Sequence, residues 1–205
     1  MPNRLTMPIG EAMFSQRAIR RLKPDPIKEE DIRLMIEAAQ KAPNGGNNQP
    51  GRFFVMNDPA IISEFGKLYH EAWWAKRKDE GFNSAEDFPK EHKTYFYAMK
   101  LADEIKDAPL IILACAIKAG VDNSVFPPVQ NLLLAARALG IGSTLTTLHA
   151  TVMERVHKLT GIPEDVKIYC CIPMGYPRGN FGPTKRLPSR EITFFNQWGT
   201  APPWS

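Results

Sequence analysis

The chain has 205 residues, of which 43% are hydrophobic and 23% are charged, and its formal net charge is +4. A chain of this length can bury a full hydrophobic core and falls within the usual range for one domain, so its composition excludes a disordered or low-complexity protein. The positive charge permits binding of phosphate or nucleic acid without establishing either, because a modest excess of basic residues commonly just solvates a surface.

The first half of the chain predicts helices, a polar loop and a strand. Apolar residues recur at helical spacing between 31 and 42, the loop APNGGNNQPG at 42–51 breaks every regular pattern, and RFFVMN at 52–57 is typical of a short strand. From 58 to 107 the pattern is again helical, interrupted by GFNSAEDFP at 81–89. We therefore expect two helices flanking a mobile insertion.

The second half alternates strands with helices. It predicts a buried strand at 109–117, a helix buried nearly all round at 125–140 and a short strand at 141–147. A helix at 149–161 and a central strand at 165–177 follow. Strands separated by helices in this way indicate an α/β or α+β fold.

The segment 178–205 has a mixed composition. It is rich in proline and polar residues, yet it contains four large aromatic residues, Phe194, Phe195, Trp198 and Trp204. We expect such a tail to lie against another surface, and a second subunit is one candidate for that surface.

Nothing in the sequence predicts a membrane span or secretion. The longest apolar run, LIILACAI at 110–117, is far shorter than the roughly 20 residues that a membrane-spanning helix requires. The opening MPNRLTMPIGEAMF lacks the apolar core of a secretory signal. Cys115, Cys170 and Cys171 all lie in apolar runs, so we expect reduced thiols in a cytoplasmic protein.

Several motifs of known enzyme classes are missing from the sequence. It contains no glycine-rich phosphate loop ending in Lys-Ser or Lys-Thr, no GxGxxG after a strand, no GxSxG and no HExxH. The four histidines, His70, His92, His149 and His157, lack the spacing of metal ligands. We therefore expect neither a metal site nor a dedicated protein nucleophile.

Arginines near both ends of the chain suit a phosphate. Arg17, Arg20 and Arg21 lie within five residues of one another, and their planar guanidinium groups can each form paired hydrogen bonds to phosphate. Arg186 lies in an extended proline-flanked segment that can reach the same phosphate. Considered singly, each is explained more simply as an exposed, solvated charge.

Two further segments suit a flat ring. The loop PNGGNNQP at 43–50 offers backbone N–H groups without obstructing side chains, and GSTLTT at 142–147 offers hydroxyls and strand-edge amides. Each is also consistent with an ordinary loop or strand. The four features fit a single phosphorylated heteroaromatic ligand.

In combination, these motifs resemble those of the nitroreductase family of FMN-dependent flavoproteins over essentially the whole chain. The matching segments, in chain order, are RAIRRLKPDPI, APNGGNNQPGRFFV, VQNLLLAARALGIGS, IPMGYP and TKRLPSREI. The resemblance implies an α+β nitroreductase-like fold, with a central mixed sheet wrapped by helices, in an intertwined homodimer. It also implies that FMN lies at the subunit interface, with residues of both chains around it.

The resemblance assigns cofactor-binding roles residue by residue. Arg17 and Arg20 match arginines that grip the ribityl phosphate, Arg186 matches the arginine that completes this grip, and Arg21 is their neighbour. Around the isoalloxazine ring the matching residues are Pro43, Asn44, Gly45 and Asn47 in the loop and Leu145, Thr146 and Thr147 along the pyrimidine side.

Three positions depart from the family pattern. Gln16 stands where many members have an arginine, and Ala18 where they have a serine, so one guanidinium and one hydroxyl are absent. Arg21 can compensate for the missing charge, and Ala18 can contribute its backbone N–H. Gly51 replaces a tryptophan that often follows Gln-Pro, which loosens packing at the start of that strand.

The implied reaction has two halves. NADH or NADPH delivers hydride to flavin N5, and a nitroaromatic, quinone or similar electron-poor small molecule then takes the electrons, so the flavin rather than a protein residue carries the chemistry. The resemblance further implies one domain over 1–205, with a substrate lid at about 70–105 and a tail at about 178–205 that embraces the partner. Most lid aromatics are expected to pack rather than contact ligand.

Other functions remain open from the sequence. Within the family, the alternatives are reductive dehalogenation and flavin fragmentation, and the lid separates them. A flavin-binding protein without turnover is a third reading. A basic nucleic-acid-binding module is the alternative from another class, although the arginines are not set in a recognised nucleic-acid-binding fold. We expect no nucleic acid, membrane or metal partner.

Overall fold

The computed structural model describes residues 4–89, 91 and 93–204. In this part of the chain the helices are α1 (Ile9–Ser15), α2 (Glu29–Ala39), α3 (Pro59–Asp79), α4 (Lys93–Glu104), α5 (Asp122–Ala138) and α6 (Met153–Thr160). The strands are β1 (Gly51–Met56), β2 (Leu110–Ala116), β3 (Gly142–Ser143) and β4 (Lys167–Gly175). No helix among these is both long and apolar enough to cross a membrane.

The four strands form one sheet in the order β1-β2-β4-β3. All neighbouring strands pair antiparallel, and parallel pairing enters at the sheet edge through an isolated bridge between Ala18 and Ser143. Gly51 pairs with Ala116 at one end of the sheet, whereas Gly142 pairs with Gly175 at the other. The strands β1 and β3 therefore occupy opposite edges.

The centre of the fold is β2, in which all seven residues are buried. Because side chains alternate along a strand, Ile111, Leu113 and Cys115 pack into a core layer with α3, α4 and α6. The alternate residues, including Leu110 and Ile112, pack into a second layer with α2 and α5. Helices thus cover both faces of the sheet, which confirms the expected α+β architecture.

Two predicted elements differ from the structure. The strand expected at 141–147 is limited to Gly142–Ser143, and the chain then leaves the sheet except for an isolated bridge between Thr146 and Cys171. The insertion at 81–89 contains a 3-10 turn at Ala85–Asp87, closed by a capping box between Ser84 and Asp87.

The arginine segment is extended and lies along the edge of the sheet. The Ile19 N–H donates to Ser143 O at 2.9 Å, and the Lys23 N–H donates to Tyr176 O at 2.7 Å. The Arg178 N–H donates in turn to Arg21 O at 3.0 Å. The segment is therefore fixed between β3 and the chain that follows β4. Helix α1, which precedes it, was not predicted from the sequence.

Candidate functional site

Arg20 differs from its two neighbours in burial. Arg17 and Arg21 are exposed, whereas Arg20 is partly buried and lines a cavity of about 170 Å³ together with Glu104, Asp107, Arg178 and apolar residues. Burial lowers the pKa of Arg20, the nearby Tyr69 phenol raises it and Arg17 lowers it further. Arg20 therefore brings its charge inward, toward α3.

The segment after β3 presents backbone N–H groups that have no partner among the described residues. Ser143 and Thr144 are buried, whereas Leu145 is 40% exposed and Thr147 is exposed as well. Both backbone groups of Thr146 are hydrogen-bonded to β4: the Thr146 N–H donates to Cys171 O at 3.0 Å, and Thr146 O accepts from the Cys171 N–H at 2.8 Å. The N–H groups of Leu145 and Thr147 have no hydrogen-bond partner in the described part of the chain, so they are available to a ligand.

Two residues of α3 support this segment from behind, and sequence analysis missed both. The Tyr69 Oη lies 3.0 Å from Thr146 Oγ1, and Tyr69 is 2% exposed. The Lys76 ammonium donates to Thr147 O and, at 2.6 Å, to Thr147 Oγ1. Tyr69 and Lys76 are seven residues apart, which places them two turns apart on one helix face. That spacing was the available signal, but their contacts cross 71 or more residues of sequence.

The loop at 43–50 is ordered by its own polar groups. Asn44 Oδ1 accepts from the Gln49 N–H at 2.8 Å, and the Gly45 N–H donates to Ser124 Oγ of α5 at 3.0 Å. Asn47 adopts a left-handed conformation with φ 54. The Gly45 N–H was expected to face a flat ligand, but within one chain it already donates a hydrogen bond to Ser124.

Gly46 has a steric reason to be glycine. Its φ is 60, and an added Cβ would lie 2.9 Å from Asn48 Nδ2. This loop borders a cavity of about 480 Å³ between α2, α5 and the start of β1, with Gln40, Arg52 and Ser124 in its lining. The loop therefore forms part of the wall of a cavity, in addition to connecting α2 to β1.

The expected ring-binding loop and the arginine segment lie at diagonally opposite corners of the sheet. The loop leads into Gly51, which is level with Lys167 at the start of β4, while Ala18 bridges Ser143, which pairs with Met174 near its end. Standard strand dimensions separate these corners by about 24 Å along the strands and about 14 Å across them. A single chain therefore places the arginine segment beside β3, at the edge from which the chain continues into residues 145–147, and away from the loop.

Arg186 stands apart from both groups. It is exposed, and its guanidinium donates to the carbonyl oxygen of the adjacent Lys185 at 3.0 Å. The surrounding tail is largely exposed as well: Leu187 is 65%, Ile192 is 66% and Trp198 is 89% exposed. An isolated chain therefore leaves a broad apolar tail surface open.

The aromatic residues of the predicted lid pack mainly on one another. The cluster consists of Trp73, Trp74, Phe82, Phe88 and Tyr95, in stacked and edge-to-face pairs. The Arg77 guanidinium lies over the rings of Trp73 and Tyr95, at 5.1 and 5.4 Å from their centroids.

Two other lid aromatics are open to solvent. Phe96 and Tyr97 are 48% and 44% exposed, and they border a cavity of about 420 Å³ together with Lys93. Phe88 lines the same cavity, so three lid aromatics border the space that a substrate could enter.

Among the described residues, the remaining reactive side chains form no second catalytic centre. Burial raises the pKa values of Cys115 and Cys170 to about 12, which makes them poor nucleophiles. His149 lies 3.0 Å from Asp79 and accepts the Thr151 N–H, as a cap for the turn that precedes α6. Within the described residues no three His, Cys, Asp or Glu side chains form a metal-binding group, and His92 lies outside those residues.

These observations define an α+β protein with a cationic, amide-lined candidate site at one edge of a helix-covered antiparallel sheet. A sequence model of the Nitroreductase family matches residues 14–176, which is more than half of the chain. The chain therefore belongs to the nitroreductase family of flavoprotein oxidoreductases, and the resemblance noted in the sequence is confirmed.

Relatives with curated names cover most of the chain. A protein named NADH dehydrogenase from Thermus thermophilus is 29% identical, over 93% of this chain and 98% of the relative. An iodotyrosine deiodinase from Thermotoga neapolitana is 25% identical, over 86% of this chain and 91% of the relative. A solved structure of iodotyrosine deiodinase bound to FMN and 3-iodo-L-tyrosine has a TM-score of 0.74 at 22% identity, covering 94% of this chain and all 100% of that one. The expected nitroreductase-like fold is thereby confirmed.

Proposed function

We propose that the protein is an FMN-dependent oxidoreductase that passes electrons from NADH or NADPH to a nitroaromatic, a quinone or a similar electron-poor small molecule. The observation that carries this proposal lies at one sheet edge, where Lys76 binds Thr147 beside the N–H groups of Leu145 and Thr147, which have no partner among the described residues. Tyr69, which hydrogen-bonds Thr146 there, is close enough to Arg20 to raise its pKa. Amide donors backed by positive charge fit an electron-rich ring edge that becomes anionic on reduction. The relative named NADH dehydrogenase supports the nicotinamide donor.

The residues of this chain bind and orient, while the bound FMN supplies hydride transfer at its N5 atom. Arg17 and Arg20 would hold the ribityl phosphate together with the Ala18 N–H, and Arg21 stands beside them. Arg186 would reach the same phosphate from the tail. Leu145, Thr146 and Thr147 would lie along the pyrimidine edge of the ring.

The ring-binding loop would come from a second copy of the chain. Pro43, Asn44, Gly45 and Asn47 lie at the opposite corner of the sheet from the arginines, so one chain cannot supply both sides of a single ligand. A homodimer solves this problem, because two-fold symmetry places the loop of each chain at the site of the other. The exposed apolar residues of the tail fit such a contact.

Cofactor loading tests this proposal directly. The purified protein, incubated with FMN and desalted, should retain a yellow flavin that NADH or NADPH bleaches under anaerobic conditions, and it should be a dimer by light scattering. A protein that stays colourless after loading, and instead binds oligonucleotides with a steep salt dependence, would support the nucleic-acid alternative. Steady NAD(P)H consumption with a quinone acceptor separates an enzyme from a flavin-binding protein without turnover.

Reductive dehalogenation is the second candidate, because a relative is named iodotyrosine deiodinase. Anaerobically reduced protein, mixed with nitroaromatics, quinones and halotyrosines in parallel, should be reoxidised fastest by its own class of acceptor. Reoxidation by halotyrosine alone would replace the nitroaromatic and quinone proposal with this one, and oxygen-dependent loss of the flavin itself would indicate flavin fragmentation.

A further inference from the structure

Arg137 is a nearly buried arginine that joins three segments of the chain. It lies in the last turn of α5, and its side chain is 13% exposed. Its Nε atom donates to Ser15 Oγ of α1 at 2.8 Å, and its Nη2 atom lies 3.5 Å from Glu11 Oε1. The same guanidinium lies over the ring of Phe181, 4.2 Å from its centroid. Helix α5, helix α1 and the first residues of the tail therefore meet at one side chain.

The hydrogen bonds around Ser15 are compatible in direction. The Ser15 hydroxyl donates to Glu11 O at 2.5 Å, so its oxygen can accept from Arg137. The Glu11 carboxylate offsets the charge of the guanidinium, and the ring face of Phe181 does so in part. A largely buried cation without such partners would cost folding free energy. Arg137 is thus held in place by partners on both α1 and the tail.

The backbone fixes the tail at the same point. The Gly182 N–H donates to Ser15 O at 3.3 Å, one residue beyond the ring that packs on the guanidinium. Arg17 lies two residues after Ser15, and Arg186 lies four residues after Gly182. An extended chain covers at most about 14 Å in four residues, so this junction limits the region that the backbone of Arg186 can reach. The two proposed phosphate-binding segments therefore start from one fixed point.

We propose that Arg137 is a positioning residue that docks the tail on α1 and thereby directs Arg186 to the FMN phosphate held by Arg17. This inference rests on the proposed FMN site and deepens it, since it assigns to a residue of α5 the ordering of the tail arginine. Arg186 is exposed, so its segment must lose conformational freedom when it binds a phosphate. A tail that is already docked at its base loses less freedom, which favours FMN binding.

The test compares the binding of FMN with that of riboflavin, which is FMN without its phosphate. Fluorescence titration of the cofactor-free protein measures both affinities in the wild type and in Arg137→Gln. We expect FMN affinity to fall by about tenfold, near the lower limit for one charge-assisted hydrogen bond, while riboflavin affinity stays unchanged. A general loss of structure would instead weaken the binding of both flavins. Equal losses for the two flavins would therefore overturn the inference.

Phe181→Ala tests the contact with the tail, since it removes the ring while Arg137 remains. It should also weaken FMN binding without changing riboflavin binding, and an unchanged FMN affinity would contradict the docking role. Arg155→Gln is the matched control, because Arg155 of α6 likewise joins two helices, through its ion pair with Glu71 of α3. This control should bind both flavins like the wild type, and a loss equal to that of Arg137→Gln would contradict the inference. If Arg137→Gln does not fold, Phe181→Ala decides by the same comparison.

A double variant tests whether Arg137 acts through Arg186. In Arg186→Ala the tail lacks the guanidinium that Arg137 would direct, so adding Arg137→Gln should weaken FMN binding by less than about twofold. Additive losses, or an unchanged FMN affinity in Arg186→Ala alone, would overturn the inference. Wild-type protein that takes up no FMN would overturn both the proposed function and this inference. Normal uptake, with wild-type affinities for both flavins in Arg137→Gln, would overturn this inference alone.

Discussion

At the scale of single residues, Tyr69 belongs both to the hydrophobic core, through its ring, and to the candidate site, through its hydroxyl group. Its ring is 2% exposed within the apolar layer of α3, yet its hydroxyl reaches Thr146 Oγ1 at 3.0 Å. Burial raises the pKa of the phenol, and the nearby Cys171 thiol acts in the same direction. The phenol therefore remains protonated and able to donate.

We predict that Tyr69→Phe lowers the free energy of unfolding by about 0.5–1.5 kcal/mol, because the hydrogen bond to Thr146 is lost while the ring is kept. Urea unfolding followed by tryptophan fluorescence measures this change. Tyr97→Phe, at a position that is 44% exposed, should have no measurable effect. Equal losses in the two variants would show that the Thr146 contact contributes nothing specific.

Arg186 offers a test of the tail's role in cofactor binding. Its guanidinium is exposed and meets only a neighbouring carbonyl in the described chain, so Arg186→Ala should leave the fold intact. FMN affinity should fall by about 1.5–3 kcal/mol, because a charge-assisted phosphate contact is removed. Fluorescence titration with FMN measures this loss. Arg190→Ala, at another exposed tail arginine, is the control, and unchanged affinity in Arg186→Ala would remove the tail arginine from the proposed site.

The buried thiols predict a pH effect of defined sign. Burial raises the pKa of Cys115 and of Cys170 from 9.0 to about 12, so the folded state holds these protons more tightly than the unfolded state. Their contribution to stability is fully present below pH 9.0 and is lost as the pH rises toward about 12. Urea midpoints should therefore fall above pH 9 in the wild type and fall less in Cys115→Ala. Parallel curves for the two proteins would contradict the shift.

At the scale of elements, the sequence correctly predicted the helices and strands that show a regular spacing of apolar residues within their own segment. The apolar run at 110–117 and the periodicity at 31–42 became β2 and α2, because burial of one strand or one helix face leaves a direct periodic trace. The end at Gly161 was correct because a left-handed residue, here with φ 69, favours glycine. The strand at 141–147 was predicted too long, since threonine-rich sequence suits a strand whether or not a partner strand continues beside it.

The sequence pointed to only some residues of the candidate site, because only some of them stand out from their own segment. Arg20 and Thr146 carry polar chemistry that stands out in a sequence, whereas Tyr69 and Lys76 fit an ordinary amphipathic helix. Only the tertiary packing of α3 against the segment that follows β3 brings the latter two to Thr146 and Thr147. Contacts between distant segments of this kind leave no periodic signal in a single sequence.

The turn in the predicted lid gives a prediction at this scale. Asp87 Oδ2 accepts from the N–H groups of Asn83 and Ser84 at 2.7 and 2.8 Å, and these bonds lower its pKa below the ordinary 3.8. The turn is therefore stabilised above pH 3.8 and loses this contribution as the pH falls through the lowered value. Asp87→Ala should speed amide hydrogen exchange at Asn83 and Ser84 at neutral pH. Glu86→Ala, in the same turn, should not, and equal acceleration would contradict the role of Asp87.

At the scale of the whole molecule, the sheet holds the two proposed halves of the FMN site apart within one chain, and a dimer would bring them together. The arginine segment is tied to β3 at one corner, and the loop at 43–50 leads into β1 at the diagonal corner. No hinge motion within a chain could bring them together without breaking the antiparallel ladder through β2 and β4. In a dimer with a two-fold axis, the arginine segment of each chain can instead meet the 43–50 loop of the other chain. This arrangement yields two equivalent sites.

Complementation between two defective chains tests this arrangement. One chain carries Arg17→Ala and Arg20→Ala, and the other carries Gly46→Val, which forces a Cβ into a left-handed position beside Asn48. Each homodimer should fail to retain FMN, because both of its sites lack one side. In a mixed dimer, one site combines intact arginines with an intact loop, so random assortment should fill about one quarter of all sites. FMN retained per chain, measured after co-expression and desalting, gives the result. If each site were built within one chain, the mixture would retain no more FMN than either homodimer.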